Sequence, residues 1–178
     1  MRTFTALAAS VMLALAACGG SDPGSDDDAT MIDWDLTDSH TVDDVDWPKP
    51  DLSAVEIAPV SSVKIALPEG RAFSEDGELV HDVTLDRRED VVRNLQIDSH
   101  PRSREEAHQL AVRWAGDWGL SREPLDEWRD GDTKTPVITS SPIEQRLGET
   151  GPLPTVEIRN SFRDDRPAMV SLQFYWPD

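Results

Sequence analysis

Between residues 103 and 119 the apolar positions of SREEAHQLAVRWAGDWG return in steps of three and four. Ala107, Leu110, Ala111, Trp114, Ala115 and Trp118 fall on one stripe of a helix. Ser103 and Glu106 make the S-x-x-E capping box, in which each side chain satisfies an orphan amide of the first turn. Gly119 supplies the stop. A shorter helix is predicted to follow, with Ser121 near its cap, Leu125 and Trp128 inward and Gly131 after it.

On either side the period changes from helical to alternating. SVKIAL (62–67) places Val63, Ile65 and Leu67 on one face. ELVHDVTL and DVVRNLQI flank DRRE as a predicted hairpin, and TVEIRNSF and AMVSLQFYW flank RDDRP as a second. In the latter Val156 and Ile158 share a face, as do Val170, Leu172, Phe174 and Trp176. A short strand or turn is expected at 136–139 within the proline-bearing stretch 132–154. The order of strands, helix pair and strands predicts an α+β fold. It would be an antiparallel sheet with one long and one short helix packed on one face, in a single small domain of residues 52–178.

The beginning of the chain follows neither period. After Met1, Arg2 and Thr3 comes FTALAASVMLALAA, uncharged and too short to cross a bilayer, which takes about 20 apolar residues. A charged start, a short apolar core and small residues before a break predict a secretory signal peptide over residues 1–17. Leu15-Ala16-Ala17-Cys18 resembles the lipobox of bacterial lipoprotein precursors, and the resemblance covers only about the first 20 residues. It implies a diacylglyceryl thioether on Cys18, cleavage before that residue, and anchoring to the cell membrane or outer membrane on the extracytoplasmic side. Gly19 stands where an aspartate is associated with inner-membrane retention in Gram-negative lipoproteins, so outer-membrane sorting stays open. Two acyl chains hold a protein on a bilayer where one does not. Cys18 is the only cysteine, so no intrachain disulfide can form.

Residues 18–51 read as the lipidated cysteine followed by an acidic, largely disordered tether. From Gly19 to Asp51 eleven aspartates face Lys49 alone, a net charge of −10. Such a run repels itself and extends; 33 residues could reach on the order of 110 Å. Trp34 and Trp47 fit poorly there, because indole is costly to leave in water. They suggest that the second half docks on the domain, with Ile32, Trp34, Val45 and Trp47 as anchors. Asp33, Asp35 and Asp44 fall at positions 1, 3 and 12 of an EF-hand-like count, but Asp38 replaces the glycine and the last ligand is not glutamate.

Charge then narrows the function. With 35 acids, 17 bases and a net charge of −18, no basic face for nucleic acid is expected. No G-x-S-x-G, H-E-x-x-H, phosphate loop or C-x-x-C occurs, no catalytic set is named and no cofactor is implied. Trp114, Trp118 and Trp128 read first as core, with a ligand groove as the alternative. Arg163 and Arg166 sit at a hairpin tip of the kind that often carries recognition. The expectation is a non-catalytic, lipid-anchored extracytoplasmic module for a protein or envelope component. The alternative is an envelope hydrolase or metal-dependent enzyme built on Asp98, His100 and His108, set against histidines simply exposed to solvent.

Overall fold

The computed structural model describes residues 29–131, 137–140, 154–163 and 166–176. Cys18 and the signal segment lie outside the described residues. The elements are β1 (Thr30–Asp35), β2 (Ala54–Ile57), β3 (Val60–Leu67), β4 (Arg71–Asp76), β5 (Val80–Arg88), β6 (Val91–Ser99), α1 (Arg104–Trp118), α2 (Glu123–Asp130), β7 (Val137–Ser140), β8 (Thr155–Arg163) and β9 (Arg166–Tyr175). They form an α+β fold.

The alternating segments assemble a six-stranded antiparallel sheet in the order β2-β5-β6-β9-β8-β7. Its apolar face is continuous because the registers align like with like. Leu85 pairs with Leu95, Leu95 with Phe174, Ile97 with Leu172 and Leu172 with Ile158. The DRRE turn is tighter than expected: Arg88 already pairs with Val91, and Glu89 takes the left-handed conformation at φ 57.

Two layers cover that face. At one end lies a three-stranded sheet, β1-β3-β4, whose Val63, Ile65, Leu67 and Phe73 are buried. At the other lie the helices. The capping box of α1 forms as predicted, with Ser103 N donating to Glu106 Oε2 at 3.0 Å and Glu106 N to Ser103 Oγ at 3.3 Å. Gly119 ends the helix at φ 67. Ser121 lies near the cap of α2, as expected. Arg122 occupies the N-cap position, and Ser121 Oγ accepts from Glu123 N at 3.3 Å.

Trp114, Trp118 and Trp128, weighed above as a groove lining, are core residues. Trp114 meets Phe73 edge-on at 5.7 Å and Trp118 meets Phe174 at 5.1 Å, so both rings bridge helix and sheets rather than face a ligand. Trp128 is wholly buried, with the Arg104 guanidinium 5.0 Å from its ring centroid. Arg104 also donates to the carbonyls of Trp128 and Gly131, closing the C-terminal end of α2 onto α1.

The domain does not begin at residue 52. β1, drawn from the acidic stretch, runs parallel to β3 with Ile32 opposite Val63 and Trp34 opposite Ile65. Ile32, Trp34, Leu36 and Val45 are buried and Trp47 packs against the core. Alternation decides the matter: apolar side chains turn inward while Asp33 and Asp35 turn to water, so the charge costs little desolvation. Residues 36–53 then fasten to the β5–β6 hairpin. Val42 N donates to Asp90 O at 3.0 Å, Val92 N to His40 O at 2.8 Å and Arg87 Nε to Leu52 O at 2.9 Å. Among the described residues no helix is long and apolar enough to cross a membrane.

Candidate functional site

Six-stranded sheets have two faces, and both helices and the small sheet lie on the same side of this one. The opposite face carries the alternate, polar residues in cross-strand rows. One row runs Asp82–Asp98–Ser171–Arg159, the next Glu56–Thr84–Gln96–Gln173–Glu157, and the third Asp86–Asn94–Tyr175–Thr155. Directly paired side chains on one face stand about 5 Å apart, close enough to bond.

They do bond. Gln173 Nε2 donates to Asn94 Oδ1 at 2.7 Å, Asn94 Nδ2 to Asp86 Oδ2 at 3.1 Å and Gln96 Nε2 to Asp98 Oδ2 at 2.7 Å. Ser171 Oγ donates to Asp98 Oδ1, and Arg159 pairs with Glu157. Tyr175, half exposed, is the large aromatic of this face among the described residues. The rows thus form a flat, pre-set polar surface rather than a field of free rotors.

One end of the face holds the site's acid–base chemistry. Burial pushes the Asp82 carboxyl up to about 6; the charge of the facing Asp98 adds to this, His81 opposes it, and Glu56 and a hydrogen bond with Asp98 reinforce it. Two carboxyls set opposite each other in a sheet cannot both ionise freely. A bulge between Val80 and Asp82 brings His81 alongside, its Nε2 3.9 Å from Asp82 Oδ2. The His81 and His100 ring centroids are 5.0 Å apart. His100 Nε2 lies 3.1 Å from the Gly77 carbonyl, which requires an N–H at that nitrogen.

Asp98 and His100 therefore come to the same end of one face, but His108 does not join them. It is buried in the helical layer on the other side of the sheet, where its Nε2 meets Asp126 Oδ1 of α2 at 2.9 Å. The expected solvent exposure is overturned for His108 because α2 folds across that flank of α1. Among the described residues no three His, Cys, Asp or Glu side chains are placed to hold a metal ion.

The aspartates of the EF-hand-like count are engaged separately. Asp33 pairs with Lys64, and Asp35 accepts from the amide and hydroxyl of Thr37. Ser39 and the amide and hydroxyl of Thr41 hold the Asp44 carboxyl below its usual range. Arg163 and Arg166 pair across the β8–β9 turn. Their side chains lie outside the described residues.

A second surface feature is a depression of about 600 Å³ lined by Val42, Asp43, Asp46, Trp47, Pro50 and Arg87. Arg87 fills much of its chemistry internally. The guanidinium stands 5.2 Å from the Trp47 ring centroid and donates to the carbonyls of Pro50 and Leu52. Trp47 Nε1 donates to Lys49 O at 2.9 Å. These bonds explain the depression as the seam where residues 42–50 fasten to β5.

The fold and this face define an α+β domain with an open polar sheet. The chain matches no protein-family model, no curated protein and no solved structure.

Proposed function

We propose that the chain is a lipid-anchored extracytoplasmic binding module that presents the polar face of its six-stranded sheet to an envelope partner. The observation that supports this reading is the hydrogen-bonded set of rows around Tyr175, pre-organised on a rigid sheet rather than on loops. Pre-organisation lowers the entropy lost on binding. The anchor rests on the Leu15-Ala16-Ala17-Cys18 motif.

Each half has its own test. Cys18→Ser should release the protein from the membrane fraction; a variant that partitions like the parent overturns the anchor. A photo-cross-linking side chain at Gln173, used in cells, should trap a discrete adduct that the same group at Gln109, exposed on α1, does not. Equal adducts at both positions, or none at Gln173, overturn the binding face.

A further inference from the structure

We propose that the polar face is a docking surface for a basic polypeptide segment, laid across the strands from Glu56 towards Glu157. This rests on the reading of that face as the recognition surface. Charge complementarity decides the partner's chemistry: the described face carries Glu56, Asp82, Asp86, Asp98 and Glu157 against Arg88 and Arg159, and Arg159 is tied to Glu157. An anionic partner would be repelled.

The distribution of spare acceptors is more telling than the count. Asp98 has both oxygens engaged by Ser171 and Gln96. Asp86 accepts from Asn94 through Oδ2, and among the described residues its Oδ1 is left to a partner. Glu56 is exposed on β2, and among the described residues no side chain donates to it. Glu56 and Glu157 lie in the same row, four strand spacings apart. At about 4.8 Å per spacing they stand roughly 19 Å apart. An extended segment of about six residues covers that distance. Tyr175 lies beside this line, between the carboxylates, where the aliphatic stem of a lysine or arginine can pack while its head group reaches an acid.

The test is amide chemical-shift mapping on the full chain carrying Cys18→Ser, titrated with a decalysine peptide. Shifts should concentrate on β5, β6, β8 and β9. The pair Asp86→Asn with Glu157→Gln should weaken binding about fivefold or more, because two desolvated charge contacts are lost. The pair Asp43→Asn with Asp46→Asn removes the same charge from the depression near Trp47 and should change affinity less than twofold.

Equal weakening by both pairs would mean general attraction to an acidic chain and would overturn the proposal. So would shifts on this face with a neutral chitohexaose probe and none with decalysine, which would indicate sugar recognition. Should the paired variant unfold, Glu157→Gln alone gives the same comparison against Asp46→Asn. An adduct from Gln173 without any decalysine preference sinks the basic partner and leaves the binding face standing. A decalysine preference without an adduct does the reverse.

Discussion

Replacing Asp82 by asparagine isolates the carboxyl pair at the end of the polar face. Asparagine keeps the size and a donor towards Asp98, and removes the charge that burial and Asp98 disfavour. The folded-state value is raised from 3.8 to about 6. A carboxyl so raised supports folding fully below the unfolded value, and that support is lost as pH rises through about 6. Asp82→Asn cannot ionise, so it keeps what the parent loses. A displacement of this size corresponds to about 3 kcal/mol for a group shut off from solvent. Asp82 is partly solvated, which screens the effect, and the expected gain is about 1 kcal/mol. Urea unfolding followed by tryptophan fluorescence at several pH values measures it. The two proteins should match near pH 4 and diverge through pH 6, with the variant the more stable at pH 8. A variant less stable at pH 8, or a gap independent of pH, would refute the shared-proton account.

Trp34→Ala removes a buried indole from β1 and should cost about 3–5 kcal/mol in the same unfolding experiment; a loss below about 1 kcal/mol would show that this strand is not part of the cooperative core. Asn160 is fully buried opposite Val170, and neither its Oδ1 nor its Nδ2 has a hydrogen-bond partner among the described residues. Asn160→Leu, nearly isosteric, should raise stability by about 1–3 kcal/mol by removing an unpaired amide from an apolar layer. A lowered melting temperature would mean that the amide is satisfied in the native protein.

What could be read from the sequence was local. The Ser103–Glu106 box, the stripe through Trp118 and Gly119 specify α1 with no reference to the rest of the chain, and the helix forms there. The strands of the second predicted hairpin likewise carry their own period, whereas in the first Leu79, Val80, Val83 and Leu85 do not alternate cleanly. β1 carries one too, in Ile32-Asp33-Trp34-Asp35, but the surrounding aspartates bury that signal when composition is averaged over the whole acidic stretch. Only the rigid anchoring of Ile32 and Trp34 against β3 restores it. β2 and β4 are short, and Val55 and Phe73 are their buried apolar residues, too few to announce a strand.

The polar face was hidden for a different reason. Its residues are the outward halves of strands read for their inward halves, and their meaning depends on which strands are neighbours. Asp98 meets Ser171 because β6 pairs with β9 across the intervening helices, a contact no local pattern contains. His108 illustrates the same point within the helices. Its burial depends on α2 returning over α1, and its bond to Asp126 spans 18 residues.

The incorporation of β1 also sets a distance. With β1 starting at Thr30, eleven steps of chain separate Cys18 from Ala29. Fully drawn out they span about 40 Å. For a chain fixed at Cys18, that span bounds how far Thr30 can stand from the anchor. The domain would work as a sentry posted at the bilayer surface, and whatever it meets would have to come to within that radius of its own membrane.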